Sequence, residues 1–166
     1  MKGYQEVLKN VLVDLREYAP LVEYLEEENN TEHGANAIRL ANQTGNPFDN
    51  PVPGEDNFSV IVALGVATES STTRNTAVDR SWRIQVNVGC RQAWRRSLDS
   101  DPESFAYLEL GKVLDLIGDR LDVAAPGGRP GGTGAAPMPI EEEDGGLTVT
   151  KDWIIGHTHM IRSDSG

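Results

Sequence analysis

Apolar residues recur at three- and four-residue spacing from the start of the chain. Tyr4, Leu8, Val11, Leu12, Leu15 and Tyr18 fall on one helical stripe, with Glu6, Lys9, Asp14, Arg16 and Glu17 around the rest of the surface. The spacing predicts a helix over about 4–27, kinked or broken at Pro20, whose ring removes a backbone hydrogen bond. Leu21, Val22, Tyr24 and Leu25 continue it as a shorter second piece, and the run Glu26-Glu27-Glu28-Asn29-Asn30 ends that piece in solvent. Residues 37–40 are a candidate short strand. Residues 42–57 hold three prolines, two glycines and four asparagines, the composition of a long polar loop.

The period then changes to two. Phe58, Val60, Val62, Leu64 and Val66 alternate with Ser59, Ile61, Ala63, Gly65 and Ala67, giving one strongly apolar face and one of mostly small residues. Trp82, Ile84, Val86, Val88 and Cys90 alternate with Arg83, Gln85, Asn87, Gly89 and Arg91, the pattern of a half-buried antiparallel strand. Residues 69–79, rich in Ser, Thr and Asn, are expected to be a flexible connection, so that the two strands form a hairpin with a mobile tip.

Ser100-Asp101-Pro102-Glu103 is a helix start, with a capping residue ahead of a first-turn proline and an acid near the positive helix end. The helix is predicted to run to about Leu121, with Ala106, Leu110, Val113, Leu114, Ile117 and Leu121 packing across the hairpin. Residues 126–139 contain four prolines and five glycines, so the stretch over about 123–139 is expected to be an exposed loop or arm. Strand character returns over 147–162. Helix, strands, helix, strands implies a single α+β domain over 1–166. Its expected form is a two-layer sandwich, an antiparallel sheet with the N-terminal amphipathic helix and a second helix packed on one face.

Charge narrows the function. The net charge of −11 is the reverse of what phosphate neutralisation requires, so duplex DNA should be repelled and not gripped. Four lysines against eleven arginines, with the acidic excess, is a composition that suits high salt, where self-repulsion is screened. No apolar run approaches the eighteen or so residues of a membrane-spanning helix. The first residues turn acidic and amphipathic at once and do not resemble a signal peptide. Cys90 is the only cysteine, so no intramolecular disulfide is possible.

Candidate chemistry is sparse. His157 and His159 lie two apart on a predicted strand, so both imidazoles could approach one metal, as in a small metal-dependent hydrolase. His33 and Cys90 are the distant residues available to complete the site. The glycine-rich run 127–134 lacks the Gly-Lys-Ser/Thr ending of a phosphate-cradling loop and leads into Pro137 instead of a helix. The acids Glu141 to Asp144 are consecutive and lack the oxygen spacing of a cation loop. Neither a catalytic function nor a bound cofactor is expected. Arg91, Trp94, Arg95 and Arg96 form the one basic and aromatic cluster, a candidate interface against an acidic sister subunit. Arg83 and Trp153 join them as interface candidates.

In their order, these elements resemble the tail-terminator (tail-completion) proteins of long-tailed phages and archaeal viruses. The matching pieces are the helical region 4–25, the short strand 37–40, the proline-bearing loop 47–53, the strands at 58–66 and 82–91, the helix 103–121 and the closing stretch 147–161. The loops at 42–57 and 123–139 depart from the pattern. The resemblance implies a virion protein that forms a homohexameric ring at the head–tail junction and is assembled in the host cytoplasm. Such a ring halts polymerisation of the tail-tube protein, docks to the neck or head connector, and lets DNA pass through its lumen without specific binding. Another neck, head-completion or tail-tube ring protein fits the same features. The acidic, lysine-poor composition would suit a virus of a halophilic archaeon.

Overall fold

A computed structural model of the chain describes residues 4–40, 47–48, 57–74, 77–98, 101–121, 129–130, 138–141 and 146–160. Two helices open it, α1 (Tyr4–Arg16) and α2 (Ala19–Asn29), followed by a short 3-10 turn (Gly34–Ala37) and strand β1 (Ile38–Leu40). Two long strands follow, β2 (Val60–Arg74) and β3 (Ala77–Cys90), then helices α3 (Gln92–Arg96) and α4 (Pro102–Leu121). The short strands β4 (Arg129–Pro130) and β5 (Met138–Glu141) precede the closing strand β6 (Leu147–Met160). The α+β class, the N-terminal helix and the helical layer on one sheet face are as the sequence predicts.

The sheet runs β1-β2-β3-β6-β4, with β5 also on the outer edge of β6. All its pairs are antiparallel except one: β1 lies parallel to β2, so the sheet is mixed. A parallel pair needs a crossover, and here β1 and β2 are joined through the 41–59 connection. The length of that connection is what lets β1 run beside β2 in the same direction.

The helix break falls at Glu17 and Tyr18, just ahead of Pro20. Pro20 sits in the first turn of α2, where its missing N–H costs nothing. At the other end of α2, Asn30 takes a left-handed conformation (φ 50°). The Asn30 and Thr31 amides then bond back to the Glu27 and Glu26 carbonyls, satisfying the helix end. Asn29 joins the helix layer to the sheet: its Oδ1 accepts from the Ser59 and Val60 amides, both at 2.8 Å, and its Nδ2 donates to the Val60 carbonyl at 2.9 Å.

Register explains the core. The rungs Val60–Cys90–Leu147, Val62–Val88–Val149, Val66–Ile84–Trp153 and Glu69–Trp82–Ile155 all lie on one face. Their apolar members from Val60 to Leu64 on β2, and those on β3 and β6, are buried together with Leu15, Leu21, Leu25, Leu110, Val113 and Ile117 of the helices. A β-bulge between Val66 and Thr68 shifts the parity of β2 by one residue, while β3 and β6 keep step with each other.

The second face is not simply small and exposed. Ile61, Ala63, Asn87, Gly89 and Thr148 are buried there. Pro47 and Phe48 lie across one end of it, so close to Gly89 that a Cβ on that residue would meet Pro47 Cγ at 2.5 Å. Of the predicted polar loop, those two residues and Asn57 are described, and Pro47 is buried.

Two other expectations need correction. Residues 69–74 and 77–79 are strand and not a flexible connection: β2 and β3 pair without a gap from Ser70–Ser81 to Arg74–Ala77. Threonine is β-branched and suits a pleated backbone, and Thr68, Thr72 and Thr73 all lie in β2. Within the predicted loop 123–139, Arg129–Pro130 and the start of β5 pair with β6; residues 123–128 and 131–137 lie outside the described residues.

Tyr24 of α2 donates its hydroxyl to Glu109 Oε2 of α4 at 3.1 Å. Burial, reinforced by the carboxylates of Glu28 and Glu109, pushes this phenol well above its ordinary value. A raised folded-state pKa stabilises the fold fully below the unfolded value, near pH 10, and that contribution fades as pH rises further because the unfolded chain loses the proton first. Urea midpoints should therefore fall as the pH is raised above about 10, and Tyr24→Phe should make that fall shallower. Identical slopes for the two proteins would refute the assignment.

Candidate assembly interface

The basic and aromatic cluster is largely absorbed by the chain's own packing. Trp94 is buried in the core, and its Nε1 donates to Glu28 Oε2 at 2.9 Å, tying α3 to α2. Arg91 stacks its guanidinium 4.7 Å from the centre of the Phe48 ring and donates from Nε to the Phe58 carbonyl at 2.9 Å. Trp153 is fully buried. Arg83 reaches across the sheet to Asp152 at 3.4 Å. As anchors for a neighbouring subunit, Trp94 and Trp153 are therefore corrected: they are core residues. Arg96 is exposed and Arg95 half-exposed, so the surface part of the cluster is the end of α3.

The metal hypothesis loses its distant ligands to geometry. His157 and His159 lie in β6, paired in register with Arg80 and Val78. Cys90 is buried at the other end of β3, opposite Leu147. Ten residues of strand separate Cys90 from Arg80, about 33 Å at the usual rise. His33 precedes the turn that leads into β1, which begins opposite Val62 at that same far end. Neither residue can join the two histidines within one chain. Among the described residues no group of three metal-ligating side chains exists.

What stands out is the far part of the sheet. Beyond the rung Glu69–Trp82–Ile155, whose Trp82 and Ile155 are the last residues described as buried in this direction, five more rungs run to Arg74–Ala77–Met160. At the usual rise this three-stranded ribbon continues for about 17 Å beyond that rung. Ser71 and Thr73, two of its residues on β2, are exposed.

Both edges of the ribbon are open among the described residues. β1 pairs with β2 only at Val62, Ala63 and Leu64, leaving 65–74 without an outer neighbour. On the other side, β5 covers Leu147–Thr150 and β4 covers Trp153 and Ile154, leaving 155–160 uncovered.

A second surface feature is smaller. Phe105 (41% exposed) and Leu108 (59% exposed) point outward from α4 beside Gly111, where an added Cβ would meet nothing within 4 Å. Two side chains fall far short of the roughly 800 Å² per partner of a standard interface. No protein-family model matches the chain, and no curated protein is measurably similar to it.

Proposed function

We propose that the protein is a structural subunit of a viral tail that assembles into a ring, of six copies in keeping with the resemblance noted above, at the head-proximal end of the tail tube. There it ends tube growth and joins the tail to the neck. The observation that supports this reading is the ribbon: among the described residues the three strands run on beyond the last buried rung with both edges unpaired, and an unpaired edge is a template for a strand of another chain. The net charge of −11 supports a conduit through which DNA slides without adhering, since like charges keep a duplex off the wall. The same charge makes assembly salt-dependent, because protomers repel one another until the solution screens them.

Light scattering on the size-excluded protein at high salt should give a mass near a six-fold multiple of the 18.1 kDa protomer, with ring-shaped particles in negative stain. A strictly monomeric protein across salt and concentration would sink the proposal. The terminator role has its own test: virions lacking the protein should carry overlong tails, whereas tails of normal length would leave only a different neck or tube component.

A further inference from the structure

Gly89 lies in the middle of three strands, flanked in register by Ile61 of β2 and Thr148 of β6. A glycine inside a strand often marks a place where another part of the molecule comes close. A Cβ built on Gly89 would lie 2.5 Å from Pro47 Cγ, 3.2 Å from Phe48 Cε2 and 3.4 Å from Thr148 Oγ1. All three groups therefore converge on the space that a side chain would fill. Pro47 is buried and Phe48 half-buried, although neither belongs to a strand of the sheet.

Phe48 has a second hold. The Arg91 guanidinium carbon lies 4.7 Å from the centre of its ring, within the range of a cation–π contact. That cation is itself pinned: Arg91 Nε donates to the Phe58 carbonyl and the Arg91 amide to the Ser59 carbonyl, both at 2.9 Å. The ring thus has one edge carbon in the Gly89 gap and a fixed positive charge over its face.

We propose that Pro47 and Phe48 form a latch that fastens the connection between β1 and β2 to the second face of the sheet, and that this latch releases while the sheet and helices stay folded. The proposal goes beyond the ring reading and does not depend on it. Two observations separate the latch from the rest of the fold. The core face is closed by residues of α1, α2 and α4 together, whereas the described cover at Gly89 is two side chains of one turn. Segments held by few apolar contacts open at lower cost than the whole structure. The pairing of β2, β3 and β6 also does not run through residues 47–48, so release leaves the ladder intact. Release bares Gly89 and Thr148, and the second face is in this way presented or withheld without loss of the core.

Thiol labelling of the full-length protein tests the latch. Thr148→Cys places a reporter beneath it. Cys90, next to Gly89 in sequence but fully buried on the core face, reports global unfolding in the same molecule. Labelling rates at the two positions are read by mass spectrometry of the peptides. Position 148 should label faster than Cys90, at a rate that stays flat as urea is raised below the unfolding transition, while the rate at Cys90 climbs. Phe48→Ala should speed labelling at position 148 by about tenfold or more. Gly89→Ala, whose methyl would take the place of Pro47 Cγ, should do the same by a different route. One rate and one urea dependence at both positions would mean that the latch opens only with the whole fold, and would overturn the proposal. An unchanged rate at position 148 in both latch variants would overturn it too, by assigning the cover to other residues. Should a variant fail to melt cooperatively, the urea dependence of the Thr148→Cys protein alone decides.

Discussion

Replacing Asn29 with alanine should destabilise the fold by about 3–4 kcal/mol, because three buried or partly buried backbone groups lose their partner at once. The side chain holds the first two amides of the β2 entry and one carbonyl, all within 2.8–2.9 Å. Val60 is fully buried, so water cannot readily replace the lost bonds there. Alanine also removes a side-chain link between the end of α2 and the sheet. Asn29→Asp separates the contributions: its carboxylate still accepts from both amides but faces the Val60 carbonyl with no proton to give. Its loss should be about half that of alanine, roughly 1.5–2 kcal/mol. Urea unfolding at neutral pH reads both values, and equal losses for the two variants would show that the acceptor bonds contribute nothing.

Gly34→Ala should cost about 3 kcal/mol, at the upper end for an overpacked site. Gly34 is buried where the 3-10 turn crosses α2, and an added Cβ would sit 2.5 Å from the Val22 carbonyl oxygen and 2.8 Å from the Glu26 amide nitrogen. Both are backbone atoms of a helix and cannot swing aside as a side-chain tip can. Gly111→Ala is the control in the same protein. Apart from its own helical turn nothing lies within 4 Å of the new methyl, and alanine is better than glycine in a helix interior by about 1 kcal/mol. Thermal melting of the two variants should therefore move in opposite directions. A wild-type melting temperature for Gly34→Ala would mean that the turn and α2 separate freely, contrary to their packing.

The core was legible because burial on one face leaves a periodic trace. Trp82, Ile84, Val86, Val88 and Cys90 alternate in sequence and are all buried, and Ala106 to Leu121 keep the helical stripe that covers them. Pro20 marked the helix break to within a few residues. The ribbon left no such trace. Where both faces of a strand are polar, alternation vanishes, and the Ser/Thr-rich stretch 69–79 has the composition of a loop although it is paired throughout its described length. The bulge at Val66/Thr68 and the parallel placement of β1 are likewise invisible locally, since each depends on what lies across the sheet.

The cluster at Arg91 to Arg96 shows a different difficulty. A tryptophan among arginines suggests a surface anchor, yet Trp94 finds its acceptor in Glu28, sixty-six positions away in the chain. Glu28 belongs to the acidic run at the end of α2, of which sequence reading expected only solvation. The two histidines of β6 were correctly placed on one strand, but the strand carries them toward the end of the sheet opposite Cys90.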